Sequence, residues 1–267
     1  PADFIVEAMD QTRGWFYTLT VLSTALHNKP AFKNCICTGL LMAEGGQKLS
    51  KRLKNYPDPN EVLDNIGSDA LRWFLVSSPV LKGGNLAVDK EGKEIAKAAR
   101  VAQIPLWNAF YFFTLYANAE GYKAKEISSS AEAIDNYILS KLKRLRDVVK
   151  QGLESYDVSM ATGEVASFME ILNNWYIRRT RDRFWEGDAQ AFDTLYTVLV
   201  NVAKITAPLM PFVSEYIFKN LTGEESVHLT DYPALEAIKP DENLVEEMDF
   251  LQDLCSAGKF IREEKNL

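Results

Sequence analysis

The chain has 267 residues, 47% of them hydrophobic and 25% charged, a composition typical of a globular protein long enough for two packed units. Its formal net charge is −7, but residues 1–186 carry 24 Lys and Arg against 22 Asp and Glu, whereas residues 187–267 carry 6 against 15. The acidity therefore belongs to the tail, and it does not exclude a polyanionic partner for the rest of the chain.

The cysteine and histidine counts argue against two further classes of protein. Three cysteines are too few for a disulfide framework, and with two histidines they make a zinc site unexpected. No apolar stretch reaches the roughly 18 residues of a membrane span, and no signal peptide opens the chain. We therefore expect a protein of the reducing cytoplasm.

The first forty residues predict a strand, a helix and a second strand. The stretch DFIVEA (3–8) is short, apolar and β-branched, and so is CICTGLLM (35–42). Between them, apolar residues three and four apart predict a helix over 12–26. A strand, helix and strand within this length indicate a βαβ crossover in a parallel sheet.

Beyond Pro59 the pattern becomes almost wholly helical. Asn60 is expected to cap one short helix, and Ser68 with Asp69 to open the next. The polar, glycine-bearing stretch KGGNLAVDKEG (82–92) is typical of a domain boundary. Longer helices are predicted at about 92–118, 131–154, 159–186, 189–207, 211–221 and 243–263. The fold class is therefore α/β followed by all-α, a partial Rossmann-type sheet and then a helical bundle.

A basic segment, EGGQKLSKRLKNYPDP (44–59), follows the second predicted strand. Ligands of open α/β sheets bind at the carboxyl ends of strands, and lysines on a flexible loop there can neutralise phosphate charge. The alternative for such a spacing is a solvated basic turn. No Walker pattern is present to favour phosphate binding independently.

A second candidate segment, EAMDQTRGW (7–15), lies at the junction between the first strand and its helix. Acid and amide side chains there can bind a ribose or a substrate ammonium group. The alternative is a helix capped by Asp10, with Trp15 in the core.

Three segments together resemble one family. KLSKR (48–52) is similar to the second signature motif of class I aminoacyl-tRNA synthetases, and its extension RLKNYPDP (52–59) resembles the isoleucine-specific branch. DQTRGWFYTLTVLSTAL (10–26) resembles the last helix of that catalytic domain, and NNWYIRRTRDRFW (173–185) its anticodon-binding bundle. The resemblance implies ATP with Mg²⁺, isoleucine and tRNA(Ile) as ligands.

The resemblance assigns roles to the two segments near the sheet. Lys48, Ser50 and Lys51 would form the catalytic loop, in which the two lysines contact the phosphates of ATP and Ser50 supports the loop. The residues that would lie against the adenylate are Asp10, Gln11 and Gly39. The residues that would bind the amino acid are Glu7, near its ammonium group, and Trp15, on the wall of the side-chain pocket.

The first signature of the class, His-x-Gly-His, is absent from the sequence. We therefore expect a fragment of a monomeric enzyme, with the end of the catalytic domain at 1–82, the anticodon-binding bundle at 83–235 and an acidic segment at 236–267. Such a fragment would not activate isoleucine alone. The alternatives are a tRNA-binding module without chemistry, or a relative that charges valine or leucine.

Two basic clusters are candidates for tRNA contact. The first contains Lys143, Arg146 and Lys150, which share one helix face by spacing, and its alternative is a solvated face. In the second cluster, Arg178 and Arg181 are the better candidates. Helical spacing places the remaining two arginines, 179 and 183, on the apolar stripe of the predicted helix 159–186, which includes Leu172, Trp175 and Tyr176. There they would pair with acids.

Overall fold

The computed structural model describes residues 1–50 and 52–265. Contacts divide these residues between two compact units. The first consists of residues 1–99 with 152–163, and the second of residues 100–151 with 164–267. Among the described residues, no helix is both long enough and apolar enough to cross a membrane.

The first unit opens with the predicted βαβ crossover. Strands β1 (Ala2–Ala8) and β2 (Phe32–Thr38) pair in parallel, with Ala8 opposite Thr38 at their carboxyl ends, and helix α1 (Trp15–His27) connects them. The parallel pair is confirmed, but α1 begins three residues later than expected. The intervening residues, Met9–Arg13, form a tighter 3₁₀ turn.

The second predicted strand, 35–42, is wrong as a single element. After β2 the chain breaks at Gly39 and Leu40 and continues as β3 (Leu41–Ala43), which pairs in parallel with β4 (Leu86–Val88). At the break, the N–H groups of Gly39 and Leu40 donate to Val80 O (2.8 Å) and Asn85 Oδ1 (3.0 Å). The polar stretch 82–92 therefore contains a strand of this unit.

Three short helices also belong to the first unit, and they are α2 (Pro59–Asn65), α3 (Ser68–Val76) and α4 (Lys93–Ala99). Val62, Phe74, Val88 and Ile95 form its buried core with two alanines. The cap expected at Asn60 is wrong. Asp58 accepts from the N–H of Asn60 at 2.8 Å, because Pro59 suits the first helical position and starts the helix earlier. No side-chain cap opens α3.

The remaining helices form most of the second unit, although contacts assign the end of α6 and the start of α7 to the first. In chain order they are α5 (Gln103–Glu120), α6 (Ala133–Glu154), α7 (Val158–Glu170), α8 (Arg178–Trp185), α9 (Ala189–Thr206), α10 (Pro211–Thr222) and α11 (Glu242–Glu264). The apolar residues spaced three and four apart in the predicted helix 131–154 are fully buried on α6, and they are Ile138, Leu142, Leu145 and Val149. The α/β and then helical fold class is confirmed as well.

Two predicted long helices differ from the structure. The single helix at 92–118 is wrong, because α4 ends at Ala99 and α5 begins at Gln103. Pro105 explains the interruption: in a continuous helix its ring would clash with the carbonyl of Val101, whereas the first turn of a new helix tolerates it. The helix at 159–186 is continuous, but Ile171–Ile177 adopts the wider π-helical geometry.

Candidate functional site

The carboxyl edge of β1 and β2 brings four of the predicted site residues into one region. Glu7 lies one residue before the end of β1, Asp10 and Gln11 lie in the 3₁₀ turn that follows, and Gly39 follows the end of β2. The register pairs Glu7 with Cys37, so both segments leave the sheet at the same edge. Glu7 and Asp10 are exposed there, and Gln11 is half-buried.

Gln11, and not Asp10, fixes the start of α1. Its Oε1 accepts from the backbone N–H of Trp15 at 2.8 Å, and its Nε2 donates to Asp10 Oδ2 at 3.1 Å. The cap that the structural alternative assigned to Asp10 is therefore wrong. Trp15 is 46% exposed, which also excludes the alternative that places this side chain in the core.

Gly39 is required by packing inside the first unit. Its position is buried, and a Cβ atom there would lie 1.9 Å from the carbonyl oxygen of Gly84. No side chain fits at that distance. The close approach joins the end of β2 to the loop that precedes β4.

The basic loop begins as a tight return beside β3. Gly45 and Gly46 have φ of +74° and +75°, a region that glycine enters without steric cost. The chain then turns back, so that Lys48 pairs antiparallel with Met42 and Ala43 N donates to Gln47 O at 2.7 Å. Lys48 is exposed and Ser50 half-buried. Lys51, the best candidate for phosphate contact, lies outside the described residues.

Asn55 organises the rest of the loop, although it is not among the site residues predicted from the sequence. Its Oδ1 accepts from Ser50 N at 2.9 Å, and its Nδ2 donates to Lys48 O at 3.2 Å. Ser50 O in turn accepts from Lys54 N at 2.9 Å, with Lys54 in the left-handed region at φ +47°. The sequence signal that could have indicated this role is an asparagine next to a predicted turn, because an asparagine side chain readily hydrogen-bonds nearby backbone groups.

The first basic cluster does not form a single solvated face. Arg146 is buried, with its Nη2 3.1 Å from Glu236 and its Nε 2.9 Å from Asp147. Lys143 is mostly buried and pairs with Asp147 at 3.2 Å. Lys150 is exposed. Helical spacing does not indicate that Arg146 is buried, because its partner Glu236 is 90 residues away in sequence.

The second cluster contains one inward arginine. Arg183 binds Asp135 and Asp188, as its spacing predicted. The same prediction is wrong for Arg179, which is exposed and lies over the ring of Trp175 at 3.3 Å. Arg179 and Arg183 are four residues apart on α8, so their spacing does not distinguish them, whereas Asp135 and Asp188 supply the contacts that hold Arg183 inward. Both remaining members, Arg178 and Arg181, are exposed.

Within residues 1–50 and 52–265, no group of three or more His, Cys, Asp or Glu side chains could hold a metal ion.

Comparisons with known proteins match both units of the chain. A family model described as class I tRNA synthetases (I, L, M and V) matches residues 1–87, and one described as the anticodon-binding domain of tRNA ligase matches residues 135–267. The isoleucine–tRNA ligase of Leifsonia xyli subsp. xyli is 50% identical over 273 residues, which cover 100% of this chain and 24% of the relative. The isoleucine–tRNA ligase of Mycobacterium tuberculosis is 49% identical over 267 residues, which cover 100% of this chain and 25% of the relative.

Solved structures show the same fold. A leucyl-tRNA synthetase of Agrobacterium radiobacter, in a ternary complex with tRNA and LeuAMS, has a TM-score of 0.69 at 19% identity, with 92% of this chain and 29% of that chain covered. A methionyl-tRNA synthetase of Mycobacterium tuberculosis, in complex with methionyl-adenylate, has a TM-score of 0.66 at 18% identity. The match covers 82% of this chain and 44% of that chain. The chain spans about a quarter of the length of the curated relatives it matches. It belongs to the class I aminoacyl-tRNA synthetase family, and within that family it is similar to the isoleucine–tRNA ligases.

Proposed function

We propose that the chain forms part of a ligase that adenylates isoleucine with ATP and transfers it to tRNA(Ile). The observation that carries this proposal is the identity of about 50% to isoleucine–tRNA ligases over the whole chain. Because the chain spans only about a quarter of those relatives, the complete reaction is proposed for the full-length ligase that contains it.

The basic loop is proposed to stabilise charge on the phosphates of ATP. Lys48 is exposed at the return of the loop, and Lys51 follows three residues later. Each ammonium group would neutralise negative charge that increases on the phosphates as the adenylate forms. Ser50 is proposed to support the loop, and Mg²⁺ would enter with ATP as part of the substrate.

The strand edge is proposed to hold the adenylate and the amino acid. Asp10, Gln11 and Gly39 would lie against the nucleotide, and Glu7 would bind the ammonium group of isoleucine. Their shared position at the carboxyl ends of two parallel strands supports this assignment, because ligands of open α/β sheets bind there. Trp15 is exposed at the same edge, where it would form one wall of the side-chain pocket.

The helical unit is proposed to bind tRNA. Arg178 and Arg181 are exposed on α8, and Lys150 is exposed on α6, so these three present charge to solvent. Lys143 is a weaker candidate because it is mostly buried, and Arg146 would act through the packing of its helix. Phosphate contacts of this kind lose affinity steeply as salt increases.

The remaining proposals concern organisation. We keep the catalytic segment at 1–82, the bundle at 83–235 and a further acidic segment at 236–267, in a cytoplasmic monomer. Val245, on α11 in the third segment, packs against Tyr137 and Trp175 of the bundle.

ATP–pyrophosphate exchange tests the function. The full-length ligase should exchange in the presence of isoleucine and much less with valine or leucine, whereas the isolated chain should bind tRNA(Ile) without exchange. Exchange that depends on valine or leucine would replace the proposed substrate. A full-length protein that binds tRNA but exchanges with no amino acid would favour the binding module.

A further inference from the structure

The first unit contains a cavity of about 280 Å³ between the basic loop and the hydrophobic core. Leu49 and Tyr56, from the loop, line one side of it. The core residues Phe74, Val88 and Ile95 line the other. The cavity is separate from the polar residues at the edge of β1 and β2, none of which contributes to its wall.

The wall of this cavity is almost entirely apolar. The space is partly open to solvent. At about 30 Å³ of liquid volume per molecule it corresponds to roughly nine waters, and its wall offers these waters almost no hydrogen-bond partners. A neutral apolar molecule would enter without displacing hydrogen-bonded water. Its volume also suits such a ligand, since an apolar cavity of roughly 150 Å³ already accommodates benzene.

The loop is coupled to this space by its own side chains. Leu49 lies between Lys48 and Ser50, and Tyr56 follows Asn55, so both cavity residues adjoin the hydrogen-bond network that organises the loop. Both side chains are half-buried. A molecule that packs against them would therefore restrict the loop from its inner side.

We propose that this cavity is a binding site for a small, neutral, apolar molecule of about one substituted aromatic ring, and that its occupancy immobilises the basic loop. Binding and loop restriction follow from the cavity alone. That such a ligand would also alter ATP binding rests on the proposed function. Probe binding and trypsin cleavage are therefore measured without ATP, so that the cavity proposal and the proposed function can fail separately.

Binding is tested with 4-fluorotoluene as the probe, followed by ¹⁹F NMR on the 267-residue chain. The signal should broaden and shift saturably on addition of protein, whereas 4-fluorobenzoate, which has a similar shape and a charge, should show no saturable binding. Leu75 lines the cavity and is half-buried, so Leu75→Trp should fill part of the space and weaken binding at least fivefold. Leu63, 43% exposed and outside the lining, gives the matched control Leu63→Trp, which should bind as wild type does.

Loop restriction is tested by limited proteolysis with trypsin. Arg52 is exposed in the loop, and cleavage after it should slow at least threefold at saturating 4-fluorotoluene in the wild-type chain, with no slowing in Leu75→Trp. If circular dichroism shows that Leu75→Trp is misfolded, Leu41→Trp replaces it in both experiments, because Leu41 lines the same cavity from β3. The proposal is overturned if wild-type protein does not bind the probe, if the filled variant binds it equally, or if bound probe leaves cleavage after Arg52 unchanged.

Discussion

Arg183 binds Asp135 through both terminal nitrogens of its guanidinium group, at 2.8 and 2.9 Å. Asp135 is completely buried and also accepts from the hydroxyl groups of Tyr176 and Ser130. Burial, together with the adjacent carboxylate of Asp135, raises the pKa of Tyr176 well above its usual value, which keeps this hydroxyl group a donor. The pair therefore joins α6 to α8 through a satisfied polar network inside the bundle.

Removal of this buried carboxylate should destabilise the bundle strongly. Asp135→Ala should lower the free energy of unfolding by about 3–5 kcal/mol, because it leaves Arg183 and two hydroxyl groups without their shared acceptor. Urea unfolding followed by circular dichroism measures the change. Asp182→Ala, at an exposed position on α8, is the control and should change it by less than about 0.5 kcal/mol. An equal effect of the two substitutions would contradict this account.

Asp188 should make stability sensitive to acid. Burial pushes its pKa upward, but hydrogen bonds from Arg183 and from the N–H of Gln190 outweigh this, and the pKa lies below its usual value. A lowered carboxyl pKa contributes stability that is fully present above the unfolded pKa of about 3.9 and is lost as pH falls through the folded one. Unfolding free energies from pH 6 to pH 3 should therefore fall less steeply in Asp188→Asn than in wild type. Parallel curves would refute the assignment.

Asp249 should hold α11 on the bundle. It accepts from the hydroxyl group of Tyr137 at 2.7 Å and from Lys141 Nζ at 2.9 Å, and Lys141 is itself buried. In Asp249→Ala, amide hydrogen exchange should accelerate at least tenfold within Glu242–Glu264, because the start of this helix loses its polar anchor. Asp253→Ala, exposed one turn later, is the control and should leave exchange unchanged. Equal protection in both variants would rule out the anchor.

Asn55 should set the conformation of the basic loop. Asn55→Ala removes the bonds to Ser50 N and Lys48 O, so trypsin should cleave after Arg52 severalfold faster. Asn60→Ala, an exposed amide in the first turn of α2, is the matched control and should be cleaved at the wild-type rate. Unchanged cleavage in Asn55→Ala would mean that other contacts hold the loop.

Lys51 should act on chemistry and not on amino-acid binding. In the full-length ligase, Lys51→Ala should lower the rate of adenylation at least tenfold and leave the dissociation constant of isoleucine nearly unchanged, because the lysine would stabilise charge that develops on the phosphates. Pre-steady-state kinetics with equilibrium binding separates the two quantities. Lys90→Ala, exposed in the loop after β4, serves as the control. A variant that loses isoleucine binding but keeps its turnover would refute the role.

Local patterns were sufficient to predict the parallel β1–β2 pair and the inward position of Arg183. The first follows from the order strand, helix and strand within a short length, and the second from the period of a helix, which backbone geometry sets within a few residues. The resemblance to one family came from short segments in which residue identity is specific. These are the features that a single sequence records directly.

The missed features depend on partners that are distant in sequence or on backbone detail. Arg146 is buried by Glu236, 90 residues away, and no periodicity within α6 indicates that contact. The close approach of Gly39 to Gly84 is created only by the folded chain, and the sequence around Gly39 does not indicate it. The exposed position of Arg179 over Trp175 and the π-helical turn at Ile171–Ile177 are likewise indicated by no residue type in the sequence.

That turn also makes the length of the long helix adjustable at one place. Each i→i+5 bond encloses one residue more than an α-helical i→i+4 bond. Ile171–Ile177 therefore contains one residue more than is required to keep the faces of α7 and α8 aligned. Deletion of the exposed Asn174 could be absorbed by a return to α-helical bonding, with the flanks left in register. A deletion in α8 before Arg183 would instead rotate Arg183 by about 100° away from Asp135. Among the positions of this helix that precede Arg183 and follow α7, a one-residue deletion is therefore compatible with the buried pair inside the seven residues of the π-helical segment.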